Sequence, residues 1–364
     1  MGDTRETPDE CILYEKKPHG VVRCQCCCFY CTIQPGGVGH CGVRVNEQGK
    51  LKLLVYGRPS AVHVDPIEKK PLYHFFPGTE CLSLGVVGCN YSCSFCQNYS
   101  LSMSMRDKQE AGADIEELAG HVKHQSRTMS PADIARYCED ANLGVAFTYN
   151  EPSIACEYWV DTIEALKERD GQHYVVYVSN GGFTAEQAEL LSRTVDPRYF
   201  GLNIDVKGDQ AFYKKLCKAP LQPVLDSVRR CHELGFHVEV TTLVIPGEND
   251  SEECLSMIAR EVAAVSPNIV WHLSAFHPDY QMQDHKRTSL AILERARAIG
   301  EREGLRYIYL GNVHNDGSTR CAKCKAVVVE RRGYGARVTQ KLVVDGRKGT
   351  CVCGEPIPGV FGFE

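Results

Sequence analysis

Between about residue 80 and residue 310 the chain alternates short apolar runs with longer amphipathic ones, and that alternation restricts its fold more than any other feature. The apolar runs are Leu82–Val87, Val145–Thr148, Tyr174–Val178, Phe200–Val206, His237–Val244 and Ile269–Phe276. Most are apolar on both faces, as strands of a parallel sheet covered on both sides must be. Between them, helical spacing predicts helices over Pro131–Ala141, Ser153–Arg169, Ala185–Thr194, Pro223–Leu234, Ser251–Val265 and Ser289–Glu303. Ser130-Pro131-Ala132-Asp133 reads as a helix start: a serine cap, proline in the first turn and an acidic third residue. Repeated strand–helix units imply an α/β fold with a parallel sheet. Six of them suit a partial (β/α)6 barrel better than a closed eightfold one, with a seventh strand available at Tyr307–Leu310. The polar stretch 100–128 is expected to be a long surface excursion. The expected organisation is an N-terminal cysteine-rich module (1–75), a core (76–312) and a C-terminal module (313–364).

In such sheets ligands gather at the carboxyl ends of the strands. Those ends are polar here: Asn150 and Glu151 after the second run, Ser179 and Asn180 after the third, Asp205 and Lys207 on the fourth, His277 after the sixth. A carboxylate, amides, a lysine and a histidine on one rim make a polar ligand site. The simpler alternative for Asp205 and Lys207 is that they only pair with each other.

The first run opens into Gly-Cys-Asn-Tyr-Ser-Cys-Ser-Phe-Cys-Gln-Asn, which places Cys89, Cys93 and Cys96 in the spacing C-x3-C-x2-C. The same offsets would fall on one face of an α-helix and could be buried core. Gly88, Asn90, Ser92, Ser94 and Asn98 are turn and cap formers, however, and favour a loop. Three thiolates in a loop can hold three irons of a four-iron cluster and leave the fourth open to a small molecule.

This motif, with Phe95 before its last cysteine, resembles the signature of the radical S-adenosylmethionine (SAM) enzymes. The resemblance implies a TIM-type radical SAM barrel, a [4Fe-4S] cluster on Cys89, Cys93 and Cys96, and SAM chelated to the open iron. It also implies reductive cleavage of SAM to a 5′-deoxyadenosyl radical that abstracts hydrogen from a substrate. Compared with pyruvate formate-lyase activating enzymes, Asn150-Glu151-Pro152 stands where those enzymes hold the SAM amino group, but without their two preceding glycines. Asp205, Lys207 and His277 match further SAM contacts, whereas an arginine of the activators has no counterpart in Val240-Thr241-Thr242. A narrower likeness rests on Asp65–His74, Ala146–Pro152, Asn203–Gly208 and Leu273–Pro278, which resemble the AmmeMemoRadiSam-system radical SAM proteins. It covers residues 12 to 363 and implies AMMECR-type and Memo-type partner proteins. A glycyl-radical activase is the alternative within this class.

Twenty cysteines is a high count. Clustered, and behind an acidic N-terminus that does not read as a secretory signal, they point to metal ligation rather than a disulfide framework. Cys24, Cys27, Cys31 and Cys41 form C-x2-C-x3-C-x9-C, with Cys26 and Cys28 as extras. Zinc is the default for four thiolates and a second iron–sulfur cluster the rival. Cys321, Cys324, Cys351 and Cys353 read as the two knuckles of a zinc ribbon. Cys138, Cys156, Cys217, Cys231 and Cys254 read as core. A net charge of −5 argues against a globally basic nucleic-acid binder. The C-terminal segment is locally basic (Arg320, Lys323, Lys325, Arg331, Arg332, Arg337, Lys341, Arg347, Lys348), so RNA or an acidic protein is a further candidate partner. No apolar run nears the roughly 18 residues of a membrane span. The expected setting is cytoplasmic, reducing, and served by an electron donor.

Overall fold

The computed structural model describes residues 7–364; the first part of the acidic N-terminal stretch, including Met1-Gly2, lies outside them. Eight strands form one sheet in sequential order: β1 (Ala61–Pro66), β2 (Glu80–Gly85), β3 (Gly144–Phe147), β4 (Val175–Ser179), β5 (Phe200–Asp205), β6 (His237–Val244), β7 (Val270–Ala275) and β8 (Ile308–Gly311). From β2 to β8 every pairing is parallel. The sheet is therefore open, with β1 added antiparallel to β2 (Asp65 opposite Cys81) and β8 at the other edge. The six expected strands and the seventh are all present. The edge strand β1 was not expected, and it falls before residue 76, so residues 61–66 belong to the main sheet.

Helices occupy Pro131–Ala141, Cys156–Lys167, Ala185–Thr194, Gln222–Glu233, Glu252–Val265 and Leu290–Arg302, close to the expected spans. Ser130 caps the first of these with a reciprocal capping box to Asp133, worth about 1 kcal/mol. The stretch 100–128 departs from expectation. It carries helices Tyr99–Ser102, Ser104–Glu110 and Ile115–Gln125, which bury Met105, Leu118 and Val122. Helical spacing of those few apolar residues, rather than surface polarity, decides its structure.

The N-terminal segment forms a small antiparallel sheet (Tyr14–Lys16, Val22–Cys24, Thr32–Ile33) and a hairpin (Arg44–Glu47 with Lys50–Leu53). Its buried residues Val22, Ile33, Val43 and Leu51 share one core with Leu82, Leu84 and Val86. The C-terminal segment differs. Its two three-stranded sheets enclose a core of their own: Cys321, Val328, Val329, Leu342, Cys351 and Ile357. It is latched to the main sheet at His74, whose ring joins Pro358 O and Tyr309 OH at 2.7 Å each. Arg331 completes the latch, lying over the Tyr73 ring at 4.2 Å and facing Glu68.

Candidate functional site

The chain leaves β2 through Gly88, whose φ of +91° is open to glycine at little cost. A Cβ there would also lie 2.6 Å from Cys41 O. The segment from Val86 to Asn98 is irregular, with short turns at Ser94-Phe95 and Gln97-Asn98, so Cys89, Cys93 and Cys96 stand on a loop and the helical-core alternative is set aside.

Four strand ends reach this loop. From the end of β3, Asn150 Nδ2 donates to Gly88 O at 2.7 Å. From the end of β4, Asn180 Nδ2 donates to Asn90 Oδ1 at 2.8 Å and lies 4.0 Å from Cys89 Sγ. Beyond β5, Lys207 pairs with Asp205, as the simpler reading expected, yet its ammonium also faces the thiols of Cys93 and Cys217. Beyond β7, His277 meets Gln97 Nε2 at 3.1 Å. Glu151 is buried beneath this rim. Its carboxylate accepts from Ser179 Oγ at 2.9 and 3.0 Å, Asn180 N at 2.7 Å and Ser153 N at 3.0 Å. Burial raises its pKa against those donors. Glu151 thus ties the ends of β3 and β4 together, while exposure rises outward through Asp205 to His277.

Several participants were not singled out from sequence. Arg106 donates to the carbonyls of His40 (3.2 Å), Cys89 (3.3 Å) and Tyr91 (3.4 Å), strapping the N-terminal segment to the loop. Cys217, expected as core, is buried, and its thiol faces that of Cys93; Ser92 N and Ser94 N donate to the carbonyls of Cys217 and Leu216. The basic character of Arg106 was visible, but its partners are backbone carbonyls, which leave no mark in sequence.

The three loop thiols fit a multi-iron group. Burial and the Glu151 carboxylate push the Cys89 thiol up, and burial does the same to Cys96. Cys93 is raised chiefly by its hydrogen bond to Cys217 and then by burial. Such thiols stay protonated unless a cation takes the proton's place. They do not converge on a single point: among the described residues, the only group of metal-binding side chains gathered within 4.8 Å is Cys321, Cys324, Cys351 and Cys353. Thiolates bound to different irons of one cluster must stand farther apart than thiolates sharing one ion. Asn90 Nδ2, buried in the same loop, has no partner among the described residues.

The C-terminal four show the contrasting geometry. Cys321 Sγ lies 3.6 Å from Cys353 Sγ, and Cys324 Sγ 3.5 Å from Cys351 Sγ. A tetrahedral zinc with bonds of about 2.3 Å places its thiolates about 3.8 Å apart, so this set fits one zinc ion. A backbone N–H from Ala326 helps bring the Cys324 thiol down to about 7. The surrounding basic residues are partly neutralised: Arg320 pairs with Asp316, Arg332 and Arg337 with Glu330, and Arg347 with Glu364, while Arg331 is buried.

Cys24, Cys27, Cys31 and Cys41 line one small cavity together with Cys26, Ile33, Gly39, Arg44 and Ile154. No helix among the described residues is long and apolar enough to cross a membrane.

Comparison with known proteins accords with this site. A family profile described as the Radical SAM superfamily matches residues 84–258, spanning the loop and strands β3 to β6. The protein MJ0808 of Methanocaldococcus jannaschii is 36% identical over 353 residues, covering 96% of this chain and 98% of its own. Among solved structures, a domain of pyruvate-formate lyase-activating enzyme from Bacteroides vulgatus overlays 46% of this chain and 99% of its own at 20% identity, with a TM-score of 0.40. A radical SAM methyltransferase from Sphaerobacter thermophilus overlays 72% of each chain at 17% identity, with a TM-score of 0.46. The chain belongs to the radical SAM superfamily and is an enzyme that uses a [4Fe-4S] cluster to cleave S-adenosylmethionine.

Proposed function

We propose that Cys89, Cys93 and Cys96 hold three irons of the cluster and that SAM lies across this loop against Asn150, Glu151, Ser179, Asn180, Asp205, Lys207 and His277. We further propose that the chain is the radical SAM component of an AmmeMemoRadiSam system, acting with AMMECR-type and Memo-type proteins and a cytoplasmic electron donor. The narrower assignment rests on the likeness in Asp65–His74, Ala146–Pro152, Asn203–Gly208 and Leu273–Pro278. The observation that carries the site is the convergence of side chains from four strand ends on one short loop.

When bound, the cluster supplies the electron that splits SAM, which yields methionine and a 5′-deoxyadenosyl radical for hydrogen abstraction; the protein positions the cofactors. Asn150 fixes the loop entrance at Gly88, and Asn180 fixes Asn90 beside Cys89. Glu151 holds Ser179 and the Asn180 backbone so that Asn180 cannot swing away. The Lys207 ammonium beside Cys93 favours the thiolate form that iron requires. His277, exposed at the rim, is accessible to an entering ligand.

Protein reconstituted without oxygen and given a strong reductant is expected to release 5′-deoxyadenosine from SAM. The Cys89→Ala/Cys93→Ala/Cys96→Ala variant is expected to release none, and unchanged release would overturn the site. Deuterated candidate partner proteins then identify the hydrogen donor by label in 5′-deoxyadenosine. A doublet radical spectrum on a partner glycine would move the assignment to a glycyl-radical activase.

A further inference from the structure

We infer that Cys24, Cys27, Cys31 and Cys41 ligate a second iron–sulfur cluster, and that this cluster passes electrons to the one on the Cys89–Cys96 loop. The relay half rests on the site proposed above; the ligation half does not.

The four cysteines line the same cavity, yet unlike the C-terminal four they are not gathered to within 4.8 Å of one another. The spacing therefore departs from the single tetrahedral ion that zinc would be, although zinc is the default for four thiolates. A set of thiolates spread around a shared cavity suits a group in which different metal atoms take different ligands. The lining is otherwise Cys26, Ile33, Gly39, Ile154 and Arg44, whose guanidinium is already paired to Glu157.

The extra cysteines are occupied elsewhere. Cys26 turns its thiol to Ser153 O at 2.8 Å, and Cys28 turns its thiol to Tyr91 OH at 4.0 Å. Cys31 already accepts a backbone N–H, from His40, at 3.5 Å. Such donors stabilise a cluster thiolate and tune its potential.

Position supplies the role. Cys41 O lies where a side chain on Gly88 would be, one residue before Cys89. Arg106 binds His40 O and Cys89 O with the same nitrogen. Cys28 N donates to Gly182 O at 2.8 Å, which fixes the N-terminal segment to the end of β4 near Asn180. The two thiol sets are thus in backbone contact. The transfer is of one electron: a low-potential one-electron donor protein is oxidised, the N-terminal cluster is reduced and then reoxidised by the loop cluster, and no bond or proton changes hands.

The test is metal analysis and Mössbauer spectroscopy of the full chain purified without oxygen, which needs no variant. Expected are about one zinc and about six to eight irons per chain, about four from the loop and the rest from the second site. About four irons with about two zincs would overturn the inference. The triple alanine variant of the loop should keep the second cluster's signal, which separates this result from any failure of the loop assignment. A Cys27→Ser/Cys31→Ser variant should lose only the second signal. It should still cleave SAM with dithionite, which reduces the loop cluster directly, but fall to background with reduced flavodoxin as donor. Equal rates with the two donors in that variant, relative to the parent, would overturn the relay.

Discussion

The C-terminal thiols and the loop thiols belong to the same chain and differ in closure. Cys321, Cys324, Cys351 and Cys353 surround one point, sit on their own two small sheets and enclose their own core. Cys89, Cys93 and Cys96 are one short, stand apart, and depend for their placement on residues from four strands. A closed tetrahedron saturates its metal and can only stabilise structure. An open set leaves a coordination position that a substrate can take. The larger sheet serves to hold the open set in shape, a task the closed set performs for itself.

The largest expected effect separates the two sets outright. Cys351→Ser should abolish zinc binding and, because metal binding in such small modules is worth about 10 kcal/mol or more of folding free energy, unfold residues 319–357. Hydrogen exchange across strand Val327–Arg332 would report it. The loop iron should be retained. Loss of loop iron in Cys351→Ser would break the comparison by showing that the two regions fold as one.

Much of this contrast was legible in the sequence, and the illegible part has a physical pattern. Gly144–Phe147 and most of the other buried strands were readable because both faces are apolar, and the cysteine spacings because ligands of one group lie close in sequence. Strand β1 escaped notice: it alternates, exposes His63 and Val64, ends in a proline, and exists only because β2 pairs with it. Helix Ile115–Gln125 hides its two buried residues among charges. At the site, the strand-end residues were identifiable, but the grip of Glu151 on the backbone N–H of Asn180, 29 residues away, the Arg106 strap on backbone carbonyls and the approach of Cys217 to Cys93 across the fold leave no local pattern to read.

A second test concerns independence. His74 latches the C-terminal module, and burial lowers its pKa from 6.5 to about 4, with Glu239 opposing and Arg331 reinforcing the shift. Its Nδ1 donates to Pro358 O, and burial keeps the ring neutral above about pH 4 in the latched state. An unfolded or undocked chain takes up a proton below pH 6.5 that the latched state refuses, so stability falls as pH drops from 6.5 toward 4, by up to about 3 kcal/mol. Protection factors in residues 327–357, corrected for the intrinsic pH dependence of exchange, should fall over that window, and His74→Gln, which has no proton to gain, should flatten the dependence. A dependence that persists in His74→Gln would assign the latch to another group.

The smallest effect addresses the open set. Asn180 touches Cys89 and holds Asn90 while its own backbone is held by Glu151. Removing its side chain leaves the three thiols in place but frees the loop on one side. Partners of metal ligands are worth about 10- to 100-fold in metal affinity or activity, so Asn180→Ala should lose loop iron to a chelator about that much faster and cleave SAM correspondingly slowly. Zinc content should not change. Asn180→Asp retains an acceptor for Gly182 N, which now binds Asn180 Oδ1 at 2.9 Å, but loses the donor to Asn90. If Asn180→Asp matched the wild type in iron retention, the amide would be a turn former only, and the open set would owe its shape to the backbone rather than to the strand-end side chains.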